Sequence, residues 1–223
     1  MLWERLARPW QCCLEEAWLA YCSGSAPIGA VVTDATGQII ARGRNRIYDV
    51  VGAGKYLHGH DLAHAEVNAL VTVDYTGLDC QTCALYTTTE PCPLCIGAFY
   101  MSGLRELHYA SREAWAGSVN VLGTTPYLQR KRIRLFGPED PELEALIVAL
   151  HIEFTYRRDG FEPRVQWVQD TWLATSPQGV HLGEALFISG DLPRFAVDHR
   201  SARDVMNHVA RDLGRWTMSS GAS

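Results

Sequence analysis

At 223 residues, with 47% hydrophobic and 20% charged content, the chain can bury a full core and sits near the globular average, which excludes disordered, collagen-like and coiled-coil classes. Its formal net charge is −5, carried as 12 Lys/Arg against 16 Asp/Glu in residues 1–150 and 8 against 9 in residues 151–223, so neither part offers the basic surface that phosphate backbones attract. No uncharged stretch reaches the ~18 continuous apolar residues of a membrane span, because Gly, Ser and Pro interrupt even residues 19–33.

Leu14, Ala17, Trp18 and Tyr21 recur at helical spacing, with Glu15 and Glu16 on the other side. This predicts an amphipathic helix over residues 10–21 that stops at Ser23-Gly24-Ser25. Two β-prone runs, residues 28–33 and 38–41, are joined by the turn formers of Asp34-Ala35-Thr36-Gly37, which predicts a hairpin. Residues 48–60, rich in Gly and polar side chains, read as a loop, after which Asp61 is placed to cap a helix bearing Leu62, Glu66, Leu70 and Val73. A strand over residues 84–89 stops at Pro91, and residues 92–101 turn helical again. Further strands are expected over residues 104–110 and 132–136, then a helix bearing Leu143, Leu146, Ile147, Leu150 and Phe154.

Strands alternating with helices predict an α/β layered sheet. Beyond Asp159, residues 163–173 and 201–216 look helical, separated by a Gly- and Pro-punctuated stretch; Phe161, Val165, Val168 and Trp172 make one stripe, and Trp167 and Trp216 add to the tail's aromatics. The expected division is a domain over residues 1–158 and a C-terminal extension over 159–223 whose role the sequence leaves open. The N-terminal segment, with Glu4, Arg5, Arg8 and Pro9, has no uninterrupted apolar core, so a cytoplasmic protein is expected. Its seven cysteines then read as thiols or metal ligands rather than a disulfide framework.

Two short segments carry chemistry: His64-Ala65-Glu66 and Pro91-Cys92-Pro93-Leu94-Cys95, each opening a helix. Cys92 and Cys95 are three apart and so share a helix face, where the dipole and unpaired N–H groups of the first turn favour the thiolates that zinc needs. A neutral imidazole from His64 completes a three-ligand set with one open tetrahedral position, the pattern of a catalytic rather than a structural zinc. Glu66, two residues on, is close enough to handle protons without ligating the metal. A four-sulfur knuckle with Cys80-x-x-Cys83 is the rival; its spacer of eight residues is short and it leaves His64 and Glu66 unused. Cys12, Cys13 and Cys22 read as helix-packing residues, His58 and His60 as solvated loop, and Arg130-Lys131-Arg132 with Arg134 as the wet face of a strand.

These segments, together with Pro27-Ile28-Gly29-Ala30-Val31-Val32 and Gly43-Arg44-Asn45-Arg46, resemble the zinc-dependent cytidine deaminase-like superfamily from about residue 10 to about 154. Within it they are most similar to bacterial tRNA adenosine deaminases and to guanine and nucleoside deaminases. The resemblance implies a three-layer α/β/α sandwich around a mixed five-stranded sheet, here with a mainly helical C-terminal extension. It implies Zn2+ held by His64, Cys92 and Cys95, Glu66 as proton shuttle, and substrate contacts from Asn45 and the backbone N–H of Ala65. It also implies a hydrolase acting on C–N bonds of cyclic amidines, and a homodimer. The expected substrate is a nucleobase or nucleoside, of guanine type by the likeness of residues 91–100. A tRNA adenosine deaminase and a zinc-stabilised interaction module are the alternatives; the acidic balance and the absence of a basic helix after Phe154 speak against nucleic acid.

Overall fold

The computed structural model describes residues 1–52, 54–160 and 163–220, with backbone alone at 163–165, 167, 168 and 215–220. In chain order the elements are α1 (Leu2–Arg5), α2 (Arg8–Cys22), β1 (Gly29–Thr33), β2 (Ile39–Arg44), α3 (Ala65–Thr72), β3 (Ala84–Thr89), α4 (Pro93–Ser102), β4 (Glu106–Ser111), β5 (Arg134–Phe136), α5 (Pro141–Asp159), α6 (Pro163–Leu173), α7 (Pro177–Ser189), α8 (Asp191–Val197) and α9 (Ala202–Ser220). Three single turns of 3-10 helix lie at Cys80–Thr82, Val119–Val121 and Leu128–Arg130.

The five strands form one sheet in the order β2-β1-β3-β4-β5. β1 runs antiparallel to β2 and β3, whereas β3, β4 and β5 are mutually parallel, so the sheet is mixed as expected. Successive side chains of a strand point to opposite faces, and both faces here are covered. Val31 and Ala110 enter a cluster with α2 and α5, while Ala30, Val32, Leu85 and Leu107 enter another with α3 and α4. Helices on both sides explain why every residue of β1 is buried.

Two glycines let the layers close. A Cβ on Gly29 would meet the Cys13 carbonyl oxygen at 2.1 Å, and one on Gly43 would meet the Ala69 nitrogen at 2.2 Å, so α2 and α3 lie directly against the hairpin backbone. The hairpin turn is held by Asp34, whose Oδ1 accepts from the N–H groups of Thr36 and Gln38 at 2.8 and 3.0 Å, while Gly37 takes φ +81.

Some expectations change. Asp61 does not cap α3: the turn at 61–63 leaves Leu62 exposed, and His64 occupies the N-cap position with no side-chain cap. The punctuated stretch of the tail is itself helical, because Pro177 sits at the permissive first turn of α7 and Gly190 takes a left-handed C-cap conformation between α7 and α8. Cys12 and Cys13 are buried as expected, but Cys22 is exposed at the end of α2. Of the basic run, Arg134 lies exposed on strand β5 as expected, but Arg130 ends a 3-10 turn, Lys131 lies over the Tyr100 ring at 4.3 Å, and Leu135 and Phe136 of β5 are exposed too. Of the tail stripe, Trp172 is described and buried; Phe161 lies outside the described residues, as do the side chains of Val165, Trp167, Val168 and Trp216. Leu182, Leu186, Leu192, Val205, Met206 and Val209 share one core with α2 and α5. Among the described residues no helix is long and apolar enough to cross a membrane.

Candidate active site

The site forms where the N-termini of α3 and α4 meet beside the ends of β1 and β3. His64 is the N-cap of α3 and Glu66 lies in its first turn; Cys92 is the N-cap of α4, Pro93 follows in its first turn, and Cys95 sits one turn in. Proline is pre-organised for that position and loses no hydrogen bond there. Unpaired N–H groups and the positive ends of two helix dipoles are thus directed at one point, which favours sulfur anions and a carboxylate.

The Nδ1 atom of His64 lies 3.5 Å from the Cys92 sulfur and 3.4 Å from the Cys95 sulfur, and the sulfurs are 3.6 Å apart. Tetrahedral bonds of about 2.3 Å to sulfur and 2.1 Å to nitrogen require edges of about 3.6–3.8 Å, so the triangle fits zinc within a few tenths of an ångström. One imidazole and two thiols are also the soft donors that zinc prefers. Cys80 and Cys83 stand apart, with their sulfurs turned to the Leu78 and Asp79 carbonyl oxygens, and do not join these three. His58 and His60 are likewise outside the group.

Protons are shared across this cluster. The Cys95 hydrogen bond, with His64 alongside, lowers the Cys92 thiol well below its ordinary value. The same bond and burial raise Cys95, and the bond to Cys92 raises His64. Such shared protons are what a divalent cation displaces when it binds. Glu66 is buried, and burial raises its carboxyl above the usual range. Its Oε1 accepts from the Thr87 hydroxyl at 3.1 Å and its Oε2 from the Cys95 sulfur at 3.3 Å, so the carboxyl is held at the edge of the triangle.

Beside the triangle lies a cavity of about 350 Å³ that reaches His64, Asn45 and Ile28 on one side and α5 and α6 on another. Asn45 is buried, its Oδ1 accepting from the Ile47 N–H at 3.1 Å, and no partner holds its amide nitrogen among the described residues. Ala65 is fully buried at the first position of α3, where its N–H has no helical acceptor. Asn68 ties the 45–64 loop to α3, donating to the Arg44 and Leu57 carbonyl oxygens, each at 3.1 Å. The site therefore brings together His64, Glu66, Cys92 and Cys95, with Asn45 at the neighbouring cavity.

Sequence reasoning missed Glu113, Trp115 and His151, which line the cavity; Trp172, singled out in the tail stripe with its role left open, lines it as well. The loop carrying Glu113 and Trp115 is stapled to the metal motif by Glu90, which accepts from the Glu113 and Val119 N–H groups, and by Pro91, which accepts from Ser118. No local pattern foretells that. His151 did leave a trace, as a polar residue between Leu150 and Ile152 in an apolar helix run.

Residues 4–111 match the family model of the cytidine and deoxycytidylate deaminase zinc-binding region. A probable cytosine deaminase of Schizosaccharomyces pombe is 34% identical over 84 residues, which are 38% of this chain and 46% of that protein. Guanine deaminase of Bacillus subtilis is 32% identical over 105 residues, 44% of this chain and 62% of that one. A tRNA-specific adenosine deaminase of the same organism is 31% identical over 113 residues, 49% of this chain and 63% of that one. The chain thus spans between about half and under two thirds of the length of these relatives. A solved structure of the protein NE0047 in complex with 2,6-diaminopurine superposes with a TM-score of 0.50 at 26% identity, over 67% of this chain and 80% of that one. Residues 4–111, just under half of the chain and bearing four of the five strands of the sheet, are thus the part that matches the cytidine and deoxycytidylate deaminase zinc-binding region.

Proposed function

We propose that this chain is a zinc-dependent hydrolytic deaminase that removes the exocyclic amino group of a nucleobase or nucleoside, with a guanine-type purine as substrate. The observation that carries this reading is the His64, Cys92 and Cys95 triangle with the buried Glu66 carboxyl at its edge, His64 also lining the neighbouring cavity of about 350 Å³. Guanine deaminase is among the relatives, and the superposed structures include complexes with 2,6-diaminopurine and 8-azaguanine, which support a purine. We read residues 1–158 as the deaminase unit and 159–223 as its extension, in a homodimer.

His64, Cys92 and Cys95 would hold the zinc, which would supply the Lewis acidity that makes water a nucleophile near neutral pH. Glu66 takes one proton from the attacking water and passes it to the ring nitrogen, then takes the second from the newly added hydroxyl and passes it to the departing amine. A C–O bond forms, the C–N bond breaks, and ammonia leaves. Burial suits Glu66 to this work, because a carboxyl raised above its ordinary value is a stronger base than a free one and still returns its proton. The Asn45 amide nitrogen and the Ala65 N–H donate to the base, and Glu113, raised by burial, offers an acceptor from the cavity wall.

The test is ammonia release from a panel of purine and pyrimidine bases and nucleosides, with metal content measured in parallel. Guanine-type members should react, and Glu66→Gln should lower kcat at least a hundredfold while zinc stays bound. Activity that survives Glu66→Gln defeats the proton-shuttle role. A tRNA stem-loop in the same panel, reacting in preference to free bases and losing rate steeply as salt rises, would favour an RNA substrate instead.

A further inference from the structure

The metal motif accounts for one side of the cavity; the other is built from α5 and from the extension. His151, Phe154, Thr155, Arg158 and Asp159 line it from α5 at spacings of three, four, seven and eight residues, so a single helix face runs along the cavity for about 12 Å. Trp172, on α6, closes this wall. Its indole is 2% exposed and meets the His151 ring edge to face, with centroids 4.7 Å apart. Val148, Ile152, Tyr156 and Val180 pack around Trp172, so its position is fixed from several sides.

Two features of this pair are out of keeping with a purely packing role. The Trp172 Nε1 is buried with no hydrogen-bond partner among the described residues, which is rare in a folded chain and leaves room for an acceptor from a ligand. His151 has no partner for its ring nitrogens among the described residues, and burial lowers it to about 4, so the imidazole is neutral at physiological pH. A neutral imidazole presents one donor and one acceptor and so suits an uncharged heteroaromatic ligand. Aromatic rings on this wall supply the flat apolar surface against which such a ligand stacks.

We infer that His151 and Trp172 are substrate-binding residues, the wall against which a heteroaromatic base lies with His151 hydrogen-bonded to it, and that the C-terminal extension completes the cavity by supplying Trp172. The inference rests on the deaminase reading for the identity of its ligand class, not for the geometry. Trp172 acts both by contact and by holding the His151 ring; His151 acts by contact.

The experiment is calorimetric titration of the zinc-loaded full chain with guanine, 8-azaguanine, adenine, cytosine and their nucleosides, for wild type, His151→Phe, His151→Asn and Trp172→Phe. Ammonia release, zinc content and thermal midpoint are read on the same samples. His151→Phe keeps an aromatic ring but removes both nitrogens, and should weaken the bound ligand roughly tenfold, the value of one hydrogen bond. His151→Asn, which restores a donor and an acceptor, should recover affinity to within about threefold, a rescue that a packing role would not produce. Trp172→Phe should weaken binding as well, with zinc unchanged. If a ligand is bound and deaminated but all three variants bind it equally, the inference is overturned and the deaminase reading stands. If a ligand is bound and His151→Phe and Trp172→Phe weaken it with no ammonia released, the inference stands and the deaminase reading falls. If nothing in the panel binds the wild type, both are overturned. Should Trp172→Phe fail to fold, the two His151 variants decide the outcome.

Discussion

Asn45 reaches the cavity only because its neighbours are pinned, and Asp49 does the pinning. Its carboxylate accepts from Arg44 at 2.6 and 2.9 Å, from Arg46 at 3.1 Å and from the Ser25 hydroxyl at 3.0 Å. Burial alone would raise Asp49, yet the hydrogen bonds from Arg44 and Ser25 and the charges of Arg44 and Arg46 outweigh it and leave the carboxyl below the ordinary 3.8. A carboxylate with a lowered folded value contributes stability that is fully present above its unfolded value and is lost as pH falls through the folded one. Asp49→Asn should therefore cost about 3 kcal/mol at pH 7, since it leaves the buried Arg44 and the half-buried Arg46 guanidinium groups underpaired. In urea titrations the gap between wild type and variant should close as pH drops below about 4; a gap independent of pH would mean that the ion pairs contribute nothing.

At the scale of elements, the chemistry depends on how closely α3 lies on the sheet. His64 and Glu66 are carried at the start of this eight-residue helix, and Gly43 of β2 faces its backbone where a Cβ would stand 2.4 Å from the Ala65 carbonyl oxygen and 2.2 Å from the Ala69 nitrogen. Those atoms belong to helix backbone and cannot swing aside as a flexible side chain could. Gly43→Ala should push α3 outward, destabilising the fold by about 1–3 kcal/mol as overpacking does. Chemical denaturation should show that loss, and zinc retention in competition with a chelator should fall because His64 moves away from Cys92 and Cys95. A Gly43→Ala protein with wild-type stability and zinc affinity would contradict this account of the interface.

For the whole molecule, the extension is built into the same core as the sheet. Leu192 of α8 is fully buried and shares a cluster with Trp18 of α2 and Leu150 of α5, although these residues are far apart in sequence. Trp18 also donates its indole N–H to the Arg200 carbonyl oxygen at 2.8 Å. Leu192→Ala should then cost about 2–5 kcal/mol, as for other buried leucines, and should shift a single cooperative transition. Two separate transitions, one of them at the wild-type midpoint, would show instead that the extension unfolds alone.

What the sequence determined by itself was whatever is local or stereotyped. Alternation and turn chemistry located the hairpin at Asp34 to Gly37 and strands β3 and β4, and the three-residue spacing of Cys92 and Cys95 put both sulfurs at one helix start. His64 and Glu66 were legible because their separation and the cysteine pair together specify a known zinc chemistry. Tertiary structure alone decided the rest. Asp61 has the residue type of a cap, but the turn at 61–63 and the fit of α3 on Gly43 moved the helix start to Ala65. The cavity draws on the segment just before β1, the 45–48 loop, the N-cap of α3, the loop after β4, α5 and α6 at once. Glu113, His151 and Trp172 meet there through packing between residues distant in sequence, and no periodicity records such a meeting. A metal motif is a short-range constraint and can be read from spacing, whereas a pocket is a product of long-range burial and appears only when the chain has folded.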